Sequence, residues 1–277
     1  MLFSGESYAG RYIPFIAKWI YLKGHDLNLK GLAIGNGHYD PNIMFRKGPE
    51  YAFMMGIIDE RTYHETLQTV EYCLGLVQSD CARASDICLN VTNNIYSVEG
   101  GGIFQYNVLV LDANAMDEQS EYLAKYLEQS KVAEAIHTKG VSLWKSSDGT
   151  SAPNPVFDAL KCDIVYNNSA ELVPMILGNG TRILFYNGQL DGSVWGNRQN
   201  SACLNQFNYQ GTWTELPRHP FYTNFTGKKQ VAGYVKQSTD RMLTYLVVSD
   251  SGHLVPADQP ENSLAMIMNF VGDLDWN

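Results

Sequence analysis

The sequence predicts an α/β fold, an open sheet with helices packed against it. Two observations point there. Residues 1–37 read as strand, tight turn, helix and strand, one turn of such a sheet. Two further short apolar runs, residues 181–186 and 243–248, each lead into a polar loop, at the strand ends where open α/β sheets place their sites. With 45% hydrophobic and 18% charged residues, the 277-residue chain can bury a sizeable core.

The first element carries the most chemistry. Phe3-Ser4-Gly5-Glu6-Ser7-Tyr8-Ala9-Gly10 has the form of a nucleophile elbow, G-x-S-x-A. Small residues flank the serine because strand and helix pack closely around a strained turn that lifts the hydroxyl. The following helix runs from Arg11 to Lys23. Ile13, Phe15, Ile16, Trp19, Ile20 and Leu22 fall mostly on one face, Pro14 lies in the first turns and Gly24 ends it. Residues 29–37 then form a buried strand running into the turn Gly35-Asn36-Gly37.

After Pro41 the alternation stops until about Ala170. Asp59 caps a helix from Glu60 to about Leu76, residues 117–130 and 131–138 are helical, and residues 85–102 read as loop. This stretch, about 41–170, is expected to be a helical cap inserted into one domain spanning 1–277. The strand at 181–186 resumes the sheet and ends in Asn187-Gly188-Gln189-Leu190-Asp191, so Asp191 lies just past a strand end. The strand at 243–248 ends in Ser249-Asp250-Ser251-Gly252-His253, a loop suited to projecting an imidazole. The other histidines are poorer candidates: His25 and His219 lie in polar loops, His38 follows a glycine turn, and His64 and His137 sit in helical segments.

The order Ser7, Asp191, His253 is that of the α/β-hydrolase fold. In such a triad the histidine takes the serine proton and returns it to the leaving group, while the aspartate fixes the imidazole tautomer. Tyr8, the residue after the serine, would give one backbone N–H to an oxyanion hole.

The string from Gly5 to Pro14, Gly-Glu-Ser-Tyr-Ala-Gly-Arg-Tyr-Ile-Pro, resembles the nucleophile motif of the serine carboxypeptidases. Leu32-Ala33-Ile34-Gly35-Asn36-Gly37 with Asp40-Pro41, and the histidine motif from Gly252 to Pro260, are similar to the same family. Residues 186–191 and 231–235 lean towards its vitellogenic-like branch. The resemblance implies an acid carboxypeptidase that needs no cofactor or metal. It also implies that Glu6 helps bind the substrate's terminal carboxylate. Two carboxyl groups in contact cannot both ionise cheaply, so binding would favour acidic pH. Family members carry earlier strands, a signal peptide and a Gly-Gly-Pro-Gly-Cys loop before the nucleophile. The chain is therefore expected to be the carboxyl-terminal portion of a longer enzyme, with Cys162 bonded to a cysteine in that earlier part. A missing amino-terminal segment would be a partner, beside the peptide substrate. An acyltransferase or esterase on the same fold, or an inactive product, are the alternative readings.

Composition excludes other classes. A net charge of −9 without a basic patch argues against nucleic-acid binding, and no apolar run is long enough to span a membrane. No metal-ligand spacing or dinucleotide fingerprint occurs. Five cysteines and four sequons, at Asn90, Asn167, Asn179 and Asn224, point to a glycoprotein of the secretory pathway, lysosomal, vacuolar or extracellular. Cys73–Cys88 or Cys81–Cys88 are the local bridges to expect, and the odd count leaves at least one cysteine without a partner in the chain.

Overall fold

The structure, a computed structural model, describes residues 1–24, 27–96, 101–111, 122–138, 155–193, 196–225 and 227–276. Its strands are β1 (Leu2–Glu6), β2 (Gly31–Gly35), β3 (Arg182–Gly188), β4 (His219–Thr223), β5 (Gln230–Gln237) and β6 (Leu243–Val248). They form one sheet in the order β1-β2-β3-β6-β5-β4. The neighbours from β1 to β6 pair in parallel, and β5 and β4 add on antiparallel. All five residues of β2 and all six of β6 are buried. That is the continuous apolar character of strands covered on both faces.

Strand periodicity divides these residues between two cores. Leu32, Ile34, Ile183, Phe185, Tyr245 and Val247 face one side. There they meet α1 (Ala9–Lys23), α7 (Val173–Gly178) and α8 (Asn197–Phe207) through Ile13, Ala17, Ile20, Ile176 and Leu204. Ala33, Leu184, Leu246 and Val248 face the other side. There they meet Met266 and Phe270 of α10 (Pro260–Gly272), which follows the short α9 (Val255–Asp258).

Between β2 and β3 the chain leaves the sheet for a helical block: α2 (Pro41–Met54), α3 (Glu60–Leu76), α4 (Cys81–Asn94), α5 (Ser130–Ala135) and α6 (Pro155–Tyr166). It has its own core around Phe45, Tyr51, Val70, Ala84, Val91 and Ile164. Asp59 caps α3 as expected, its carboxylate accepting the Thr62 N–H at 2.8 Å.

Several expectations need correction. Most of residues 85–102 is not loop: α4 continues to Asn94. Its buried positions Ala84, Cys88, Val91 and Ile95 recur at helical spacing, and Asp80 caps it. The short, polar-interrupted pattern had hidden that period. Cys162 is bonded to Cys81 within the chain, tying α6 to α4, while Cys73–Cys88 ties α3 to α4. Cys203 is the buried free thiol. His219 opens β4 rather than lying in a loop, and His137 falls just beyond α5, at φ 59°. Residues 117–121 of the expected helix 117–130, and His25, lie outside the described residues. Helix α1 is apolar on two faces. Ile13, Ala17 and Ile20 are buried, while Tyr12, Phe15, Ile16, Trp19 and Leu22 are exposed.

Candidate active site

The carboxyl ends of four adjacent parallel strands supply the site. Ser7 follows β1, Asn36 follows β2, Asp191 lies three residues past β3, and His253 lies five residues past β6. Ser7 takes the left-handed backbone conformation at φ 64°, which a non-glycine residue adopts only where its surroundings impose it. Here the constraints are visible. Ser7 N–H donates to the Gly35 carbonyl at 2.9 Å, and its own carbonyl accepts from Gly10 and His38, each at 3.0 Å. The small flanking residues are needed for the close approach: a Cβ on Gly5 would stand 2.5 Å from that of Ala9.

His253 Nδ1 lies 2.7 Å from Asp191 Oδ2, with both residues buried. Asp191 is held from two more directions. Asn36 Nδ2 donates to its Oδ2 at 2.5 Å, and the Ser193 amide donates to its Oδ1 at 2.9 Å. Burial alone would depress the His253 pKa. The Asp191 charge and hydrogen bond, with a contribution from Glu6, more than offset it and raise it. Glu6 is half-buried beside this pair. Its pKa is raised to about 7, chiefly by burial and then by Asp191 and Asp258, against the lowering pull of His253 and the Val255 backbone. Tyr8 occupies the N-cap of α1, where an amide has no intrahelical acceptor, so its N–H is available beside Ser7. Its phenol donates to Asp163 of α6.

Sequence reading passed over Asn36 as a site residue, although its place in a Gly-Asn-Gly turn was a signal. It is fully buried at φ 41°, and its side-chain oxygen also accepts the Gly188 N–H at 3.2 Å. It thus ties the ends of β2 and β3 to the Asp191 carboxylate. Asn36→Gly keeps the backbone conformation easy while deleting the amide, stranding the Gly188 N–H and one Asp191 contact. Such orphaned buried groups cost about 1–3 kcal/mol, and urea unfolding of the variant should show a loss of that order. An unchanged midpoint would mean that the amide holds nothing.

The sequon asparagines Asn90, Asn167, Asn179 and Asn224 are all exposed. Thr226, which completes the last sequon, lies outside the described residues. Among the described residues, no group of three or more His, Cys, Asp or Glu side chains is placed to hold a metal ion. None of the described helices is long and apolar enough to cross a membrane.

Residues 1–273 match the serine carboxypeptidase family. The chain belongs to that family. Serine carboxypeptidase-like 48 of Arabidopsis thaliana is 28% identical, aligned over 97% of this chain and 53% of its own length. Probable serine carboxypeptidase CPVL of Mus musculus is also 28% identical, over 99% of this chain and 57% of its own. This serine carboxypeptidase chain thus spans about half the length of such curated relatives. The crystal structure of Kex1(delta)p, a prohormone-processing carboxypeptidase from Saccharomyces cerevisiae, superposes with a TM-score of 0.78 at 22% identity. It covers 98% of this chain and 62% of that one. The fold is therefore the α/β-hydrolase fold of a known carboxypeptidase. The family assignment marks the chain as related to hydrolases that act on peptides.

Proposed function

We propose that this chain carries the catalytic groups of a serine-type carboxypeptidase that releases carboxyl-terminal amino acids. The observation that carries the reading is the buried His253–Asp191 pair, 2.7 Å apart, at the carboxyl ends of β6 and β3, on the same side of the sheet as the end of β1 that presents Ser7 on a left-handed turn. His253 removes the Ser7 proton as Oγ attacks the scissile carbonyl. Asp191 holds the Nδ1–H tautomer and stabilises the imidazolium. The Tyr8 N–H donates to the developing oxyanion. His253 then protonates the leaving amino acid, and water hydrolyses the acyl-enzyme by the same proton transfers in reverse roles. Protonated Glu6 donates to the substrate's terminal carboxylate. That preference is what separates an exopeptidase from an esterase or acyltransferase using the same triad. The helical block over 41–170 is read as a cap on a single domain. Two disulfides and four exposed sequon asparagines support folding in the secretory pathway, in a lysosome, vacuole or outside the cell.

A second polypeptide segment is part of this proposal. β1 pairs only with β2, so its far side is an open sheet edge among the described residues. Apolar stripes flank that edge: Tyr12, Phe15, Ile16, Trp19 and Leu22 on α1, and Leu264, Met268 and Val271 on α10. Helices that are apolar on both faces belong in an interior. Serine carboxypeptidase-like 48 and CPVL are about twice as long as this chain, and a further strand with a covering helix is the occupant that this edge and these stripes would take. The 277-residue chain on its own should self-associate through this edge and release little amino acid from peptides. Co-expression with an amino-terminal segment from a family member should yield a discrete complex. That complex should shorten peptides one residue at a time from the carboxyl end, with no comparable action on amidated peptides. Size-exclusion chromatography and mass spectrometry of the products decide it. Equal cleavage of amidated peptides, or transfer of acyl esters instead, would overturn the carboxypeptidase assignment.

A further inference from the structure

The two loops carrying Asp191 and His253 are not held by the sheet alone. Residues 103–110, which belong to the insertion between β2 and β3, run across both of them. Val108 N–H donates to the Leu190 carbonyl at 3.0 Å, and the Gly192 N–H donates to the Gln105 carbonyl at 2.9 Å, so two main-chain bonds bracket Asp191. One residue along, the His253 N–H donates to the Tyr106 carbonyl at 2.6 Å. The Tyr106 ring lies tilted over the His253 imidazole, with centroids 4.7 Å apart. The crossing is close enough to require glycine: a Cβ on Gly252 would stand 2.2 Å from the Tyr106 carbonyl oxygen.

Side chains fasten the same crossing. Asp258 Oδ2 accepts the Gly252 N–H at 2.6 Å and Asn107 Nδ2 at 3.2 Å, joining α9, the histidine loop and residues 103–110 through one oxygen. Asn107 also shapes its own segment, its Oδ1 accepting the Leu109 N–H at 3.2 Å. At the other end, the Ile103 N–H reaches the Tyr96 carbonyl at 3.0 Å, just past α4, the helix that both disulfides anchor.

We propose that residues 103–110 are a strap that sets the acid–base pair, with Asn107 and Asp258 as positioning residues for His253. This rests on the reading of Ser7, Asp191 and His253 as the catalytic groups. Neither positioning residue touches the reacting atoms. Each acts by fixing where the Gly252–His253 backbone lies, and hence where the imidazole stands relative to Asp191. The insertion is then part of the machinery of the acid–base pair as well as a cover for it.

The test uses the complex of the chain with the amino-terminal segment described above, and two readouts. The first is the rate and pH profile of Ser7 labelling by a fluorophosphonate. The second is amide exchange by mass spectrometry over the peptide containing Gly252 and His253. Asp258→Ala should slow labelling about tenfold or more, shift the acid limb of its profile, and raise exchange at Gly252 and His253. Asn107→Ala should act in the same direction without changing charge, and the double variant should add little, since both act through one contact. Asp258→Asn keeps an acceptor for the Gly252 N–H and should recover most of the labelling. Unchanged exchange over Gly252–His253 in Asp258→Ala would overturn the strap, as would an Asp258→Asn variant no better than the alanine. Absence of any Ser7 label in the parent chain would sink the catalytic reading instead, and the exchange comparison would still decide the strap.

Discussion

Ser7→Ala should abolish fluorophosphonate labelling and reduce peptide hydrolysis by the assembled enzyme by several orders of magnitude. In a well-studied serine protease the loss in kcat on removing the nucleophile is on the order of 10⁶-fold. The fold should survive. Ser7 is only half-buried, and the turn it occupies is held by main-chain bonds to Gly35, Gly10 and His38 that alanine retains. Its φ of 64° is no easier for alanine than for serine, so far-UV circular dichroism and the unfolding midpoint should change little. Mass spectrometry of the labelled parent chain should place the adduct on the peptide containing Ser7. An adduct on another serine, or full turnover by the alanine variant, would remove Ser7 from the mechanism.

The parts of this site legible in the sequence are those whose signals are local. An elbow needs small residues at fixed offsets, and Gly5 and Ala9 stand there. Strands β3 and β6 are continuous apolar runs because both faces are covered, and β6 occupies the residues 243–248 that its hydrophobicity marks. Asp191 and His253 follow from those strands, because a parallel sheet gathers its carboxyl ends on one side.

What escaped reading depends on partners distant in sequence. The pairing of Cys81 with Cys162 spans 81 residues and arises from packing of α4 on α6. No spacing rule encodes it. The antiparallel β4–β5 edge is half-exposed, so its alternation was too weak to mark His219 as a strand residue. Asn36 acts through its side-chain amide on groups more than 150 residues away, and the strap at 103–110 through main-chain bonds to loops more than 80 residues away; main-chain carbonyls carry no sequence signature. The two-faced apolarity of α1 was visible as composition. Its division into a buried and an exposed stripe is a property of where the sheet lies.

Glu6 gives the second large effect, in the pH dependence of kcat/KM. Under the proposed mechanism, two protonation states must coincide in the free enzyme. His253 must be neutral to act as base, and Asp191 raises its pKa, so activity falls as pH drops through that value. Glu6 must be protonated to donate to a terminal carboxylate, and its pKa stands near 7, so productive binding falls as pH rises through about 7. Above that point the protonated fraction drops about tenfold per pH unit, and kcat/KM should follow it. Glutamine has the shape and hydrogen-bonding capacity of the protonated acid and no proton to lose. Glu6→Gln should therefore remove the alkaline limb while leaving the acid limb, which belongs to His253. Near pH 9 the variant should exceed the parent by about 100-fold, and below pH 6 the two should be similar. A peptide amide, which has no carboxylate to bind, should show no such difference. Profiles measured from pH 4 to 9 on an acid and an amide substrate separate the possibilities. Superimposable curves for parent and variant on the acid substrate would place Glu6 outside the carboxylate contact.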